Sequence, residues 1–242
     1  ARQKETPAAV CSSAQVVCFD EFRVVGDRIS PAGEEIRNAI EEQDMDTLVD
    51  EALSQVDDGA DLIGVEVGIP GVDEAVTMRE AVSALQSMTS APLCLISGDL
   101  AALEAGLRQY HGKAMVYVPC AAEAKREDLW RLAGKYGAAV MVSVAEENEK
   151  VSAAEWCLRA EAMAEAAVSH GIQRNDLFVA LSSGQISDME AAETLQAIRL
   201  AGKQGLKTGI SLSRCFGKQD KAEAFLQQAR ENGLDLAICN PE

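Results

Sequence analysis

A (β/α)8 TIM barrel is the fold class this sequence predicts, on three observations. Short runs rich in Val, Ile and Leu recur eight times after residue 22, longer amphipathic stretches separate them, and Gly closes most of those stretches. Near-continuous apolar runs are how strands covered on both faces read, and their alternation with helices implies parallel strands joined by right-handed crossovers. Eight strands in 242 residues lie near the short end of what a closed barrel needs. An open doubly wound sheet is the rival. It usually carries a Gly-rich phosphate turn, and no G-x-G-x-x-G follows any of these runs.

The runs, in order, are FRVVGDRI (22–29), DLIGVEVG (61–68), PLCLIS (92–97), AMVYVPC (114–120), AVMVSVA (139–145), DLFVALSS (176–183), KTGISLSR (207–214) and LDLAICN (234–240). Between them, residues 73–88, 153–171, 188–205 and 220–233 place apolar side chains at spacings of three and four, the period of a helix with one buried face. Gly59, Gly112, Gly137, Gly171, Gly205 and Gly233 stand just before the next strand. Gly past a helix end takes a left-handed conformation at no steric cost, so helix, Gly, strand is an αβ-loop signature.

Residues 22–242 therefore read as one barrel domain and residues 1–21 as an N-terminal extension, small, polar and loosely held. The sequence stops at Asn240-Pro241-Glu242, right after the eighth run, so no eighth helix is expected and the flank of the last strand needs cover. The extension or a second subunit would supply it, which makes a homo-oligomer an expectation.

Lys plus Arg number 22 against 39 Asp plus Glu, a formal charge of -17. Such a field repels phosphate backbones and anionic lipid, which argues against nucleic-acid and membrane-surface roles. No segment approaches the roughly 20 apolar residues that span a bilayer, and ARQKETPAAVCSS lacks the apolar centre of a signal peptide. Seven scattered Cys with no C-x-x-C pair, and two His each beside a helix-closing Gly, exclude a zinc motif and suit a reducing compartment. A cytoplasmic location is the expectation.

Barrel chemistry sits at the carboxyl ends of the strands. Those ends carry Asp27, Arg28 and Ser30, Glu66, Ser97 and Asp99, Tyr117 to Cys120, Ser143 to Glu147, Ser182 and Ser183, Ser213 to Cys215, and Asn240. The substrate-binding candidates are Asp27, Arg28, Glu66, Asp99, Tyr117, Ser213 and Arg214. Each has a plainer alternative. Asp27 and Arg28 could be a rim ion pair that orders the first loop, Asp99 opens a helix as an N-cap would, and Glu66 could be a solvated rim acid. Tyr117 and Arg214 could bind an anionic or aromatic ligand, or plug the mouth. Cys120 and Cys215 have no nearby His base and read as small buried thiols.

Read at those positions, the chain resembles the pterin-binding barrel family, closest to the methyltetrahydrofolate:corrinoid protein methyltransferases and more distantly to the dihydropteroate synthases. VVGDRIS resembles that family's Gly-Glu-Arg-Ile-Asn, and GADLIGVEVG its Gly-Ala-x-x-Leu-Asp-Leu-Asn-Val-Gly. APLCLISGDLAALEAGLRQYHGKAMV resembles its third-strand segment, and KTGISLSRCF sits where the family has Lys-Thr-x-x-Gly-Leu-Ser-Asn. The resemblance implies a dihydropteroate-synthase-like barrel in corrinoid-linked one-carbon metabolism. It implies a folate or pterin methyl donor, and a corrinoid carried by a partner protein, since no corrinoid-binding motif is present.

The departures fall on the residues by which that family holds the pterin. Its second-strand Asp and the Asn two residues on are matched by Gly64 and Glu66. The third-strand Asp is matched by Ile96, the fourth-strand Asn by Tyr117, the sixth-strand Asp by Ala180, and the seventh-strand Asn by Arg214. Ile and Ala make no side-chain hydrogen bonds, and each buried donor left without an acceptor costs about 1–3 kcal/mol. The sequence thus implies a methyltransferase-type barrel with an altered donor pocket, or a catalytically silent paralogue that scaffolds a corrinoid protein or methyltransferase partner.

Overall fold

A computed structural model describes residues 7–119, 123–146, 149–182 and 184–241. Cys120, Glu147 and Ser183 lie outside them. The chain opens with an antiparallel hairpin, β1 (Ala9–Cys11) and β2 (Val16–Cys18). Eight parallel strands then close a ring: β3 (Arg23–Gly26), β4 (Leu62–Val65), β5 (Leu93–Ile96), β6 (Met115–Val118), β7 (Ala139–Ser143), β8 (Leu177–Ala180), β9 (Lys207–Ser211) and β10 (Leu236–Cys239). β10 pairs with both β9 and β3, which shuts the barrel. Helices α1 (Glu34–Glu42) and α2 (Met45–Asp57) follow β3. Single helices follow the next five strands: α3 (Glu74–Met88), α4 (Leu100–Gln109), α5 (Glu123–Tyr136), α6 (Ala153–Ser169) and α7 (Asp188–Lys203). After β9 come α8 (Leu212–Cys215), one turn long, and α9 (Gln219–Glu231); no helix follows β10 in the described residues.

The strands divide their apolar residues by parity. Ile63, Leu95, Val116, Val140 and Val179 face the helices, while Leu62, Cys94, Met115, Met141 and Phe178 fill the interior of the ring. Two successive faces buried is why the runs read as continuously apolar. Five of the helices start on side-chain caps: Asp44, Asp73, Asp99, Ser152 and Ser187 each accept a backbone N–H of the first turn, and Ser187 with Glu190 completes a reciprocal capping box.

The N-terminal segment departs from expectation. Residues 8–19 are not a loose lead-in, and they enter the end of the ring instead of lying along the outer flank of β10. Val10, Val17 and Phe19 are buried among the interior residues, and the Phe19 ring meets Phe178 edge-on at 4.6 Å. The hairpin closes the end of the barrel where the strands begin. Lys207 at the start of β9 donates to the Phe19 carbonyl, Arg23 at the start of β3 donates to the Cys18 carbonyl, and Cys11 bridges Lys113 just before β6. The reason is a single apolar face on a two-residue period, which only the ring interior can bury; each such side chain contributes about 1.5–3 kcal/mol. On the outer side of β10, Ala237 and Cys239 are small and buried within the main core.

Candidate functional site

At the carboxyl ends of the strands, parity decides which polar side chains look inward. Val25 points into the ring, so Asp27, two residues on, does too, and Ser213 is near enough to bear on its carboxylate. Burial holds the Asp27 carboxyl above the ordinary carboxylate value; Ser213 and the neighbouring Arg28 oppose that shift, and nearby Glu66 adds to it. On β4, Leu62 and Gly64 point inward, and Glu66 follows in the same phase. Glu66 accepts the Ser30 hydroxyl through Oε2 at 2.9 Å and pairs with the Arg214 guanidinium through Oε1.

That ion pair runs from the end of β4 to α8 behind β9, strands three places apart in a ring of eight, so it crosses the mouth. Beneath it stands Tyr117, fully buried, whose hydroxyl has no hydrogen-bond partner among the described residues. Burial pushes the phenol well above its ordinary pKa, and the Arg214 charge pulls it back. Ile96 and Ala180 complete this level of the ring with apolar side chains. Gly64 is packed too closely to carry one: a Cβ there would lie 2.7 Å from the Gly26 carbonyl oxygen. Cys215 is buried, and desolvation pushes its thiol up to about 12, which keeps it protonated and unreactive at neutral pH.

The structure thus brings together Asp27, Glu66, Tyr117, Ser213 and Arg214, and places two of the candidates elsewhere. Arg28 donates to Glu51, Ser54 and Asp58 of α2 and its end, and to Asn240. Asp99 caps α4 by accepting the Ala101 N–H at 2.9 Å. Ser213 and Arg214 lie not on a strand but in α8, since the run that begins β9 turns helical at Leu212. A residue the sequence reading passed over is Gln55, fully buried on α2, whose Oε1 accepts the Arg28 N–H. Its signal was Gly26: a Cβ there would lie 2.3 Å from the Gln55 Oε1, so only Gly lets α2 approach. A separate cavity of about 680 Å³ lies between the loops after β7 and β8, beside Trp156, Leu181 and Met189. Among the described residues no group of three or more His, Cys, Asp or Glu could hold a metal ion, and no helix is long and apolar enough to cross a membrane.

The closed parallel ring is similar to those of solved dihydropteroate synthases. The structure matches that of the Xanthomonas albilineans enzyme with a TM-score of 0.76 at 15% identity, over 96% of this chain and 93% of that one. For the Thermus thermophilus enzyme the TM-score is 0.74 at 17% identity, over 96% and 93%. At such identity the likeness establishes the fold alone. The family of pterin binding enzymes matches residues 31–240, and the chain belongs to that family. Among curated proteins it is 27% identical over 239 residues to a methionine synthase of Mycobacterium tuberculosis, and 25% identical to one of Mycobacterium leprae. Each match covers 90% of this chain but 20% of the relative, so the chain spans about a fifth of their length.

Proposed function

We propose that this barrel serves corrinoid-linked methyl transfer in one-carbon metabolism, holding a methyl donor in a mouth altered from the family's pterin pocket. Membership of the pterin-binding family and the similarity to part of two methionine synthases support the setting. One observation carries the altered pocket. The inner polar groups of the mouth are Asp27 with Ser213 and Glu66 with Arg214, while Gly64, Ile96 and Ala180 offer no side-chain hydrogen bond. A pterin needs paired donors and acceptors on its amino-pyrimidinone edge, and each one missing costs about 1–3 kcal/mol.

In this chemistry the corrinoid cobalt, brought as a co-substrate on a partner protein, is the nucleophile. The barrel need only position and polarise the donor. Asp27 is the acid placed for the one proton such a transfer needs, and burial raises its pKa above the ordinary carboxylate value.

A second reading, a catalytically silent barrel that docks a corrinoid protein, is favoured by one feature. The mouth's charges satisfy one another, and Tyr117 fills the space beneath them. Two measurements test them, the first the altered pocket that both share and the second which of the two holds. Calorimetric titration with methyltetrahydrofolate is expected to show no binding at micromolar concentration; tight binding would refute the altered pocket. Loss of the cob(I)alamin absorbance on adding protein and a panel of N-, O- and S-methyl donors supports the first reading, and an inert panel supports the second.

A further inference from the structure

We propose that the mouth is a binding site for a small carboxylate ligand, whose carboxylate takes the place of Glu66 on Arg214 and Ser30 and accepts the Tyr117 O–H. This rests on reading the mouth as the ligand site and gives that ligand its chemical class.

The Glu66 side chain already shows what a carboxylate meets there. One oxygen takes the Ser30 hydroxyl and the other the Arg214 guanidinium, a donor set suited to an anion. Glu66 occupies the site from within the chain, as a tethered carboxylate. It leaves one donor unused. Tyr117 is fully buried, lies within electrostatic range of both Arg214 and Glu66, and donates its O–H to nothing among the described residues. A buried hydroxyl without an acceptor is a standing cost that an incoming carboxylate oxygen would remove.

The site is reachable. The Arg214 and Glu66 side chains are 34% and 26% exposed, so the pair is in contact with solvent. The ligand's body would then point outward through the mouth, since Ile96, Tyr117 and Ala180 are buried beneath it and leave room only for a small group. Asp27 is an acceptor when ionised and adds no donor to this set.

The test uses acetate and benzoate as probes, with chloride at matched ionic strength and inorganic phosphate as controls. Removing the internal competitor in Glu66→Ala should lower the dissociation constant for acetate by at least about tenfold relative to the unmodified protein, with a melting temperature that rises with acetate and not with chloride. Adding Arg214→Gln should abolish that response, and adding Tyr117→Phe should weaken it about three- to tenfold, the range expected for one hydrogen bond. Should Glu66→Ala not fold, Glu66→Gln and a benzoate titration of the unmodified protein, followed by the Arg214 side-chain NMR signal, give the same information. Equal melting curves in acetate and chloride, or an Arg214 signal that benzoate does not move, would overturn the inference. A response to phosphate equal to that to acetate would also overturn it. Carboxylate binding without methyl transfer from any donor leaves the anion site standing and sinks the transfer reading. Transfer that Arg214→Gln leaves untouched does the reverse.

Discussion

Phe19→Ala tests whether the hairpin is part of the barrel's core or an ornament on it. Phe19 is 3% exposed, and its ring stands edge-on to Phe178, itself fully buried, at 4.6 Å and 64°. Truncating a buried Phe to Ala removes its transfer energy and leaves a cavity, together about 3–5 kcal/mol. The neighbours that could collapse into the space are Phe178 and the strand starts, which the ring holds in place, so the upper half of that range is expected. For a chain of this size each kcal/mol lowers the melting temperature by about 2–4 °C, which gives a drop of roughly 8–20 °C. The Lys207 bond to the Phe19 carbonyl is a backbone contact and survives the substitution. Equilibrium unfolding in urea, followed by tryptophan fluorescence and circular dichroism together, measures the loss. Leu158→Ala, at a side chain 73% exposed, is the control and should stay within about 0.5 kcal/mol. A Phe19→Ala loss below about 1 kcal/mol would show that the hairpin does not close the floor.

Asp27→Asn should stabilise the protein at neutral pH and flatten its pH dependence. The Asp27 pKa is raised in the fold, so its contribution is fully present below the unfolded value near 3.8 and is lost as pH rises through the folded value; unfolding free energies between pH 3 and 8 give the comparison. Gly64→Ala should cost about 1–3 kcal/mol, because its Cβ would lie 2.7 Å from the Gly26 carbonyl oxygen, and thermal melts would register it. Gly112→Ala meets the Cys11 carbonyl oxygen at 2.2 Å, so it should detach β1 and raise hydrogen exchange at Cys11 and Lys113 while the exchange of β7 stays slow. Ser187→Ala removes one half of the α7 capping box and should cost about 1 kcal/mol by the same urea assay.

The ring was legible because its physics is local. A strand covered on both faces must be apolar at every position, and the eight runs show this without reference to partners. Half of the site was legible for the same reason: counting by two from Val25 or Leu62 brings Asp27 and Glu66 inward and turns Arg28 to the helices. The hairpin escaped because its strands are three residues each, too short for a pattern to stand out from the Ser, Gln and Cys around them. The pairing of Glu66 with Arg214 spans 148 positions, and the turn into α8 at Leu212 decides it; neither is written in any local stretch. Asp99 could be read either as an N-cap or as a ligand until the Ala101 N–H was seen to occupy it.

Because residues 8–19 are the stopper at one opening of the cylinder, the described residues leave the other end as the doorway. An affinity handle or surface linkage placed ahead of Ala8 hangs from the sealed side and leaves the doorway facing solution. A macromolecule that exchanges anything with Asp27, Glu66 or Arg214 must therefore arrive head-on along the cylinder axis, at the end opposite that handle.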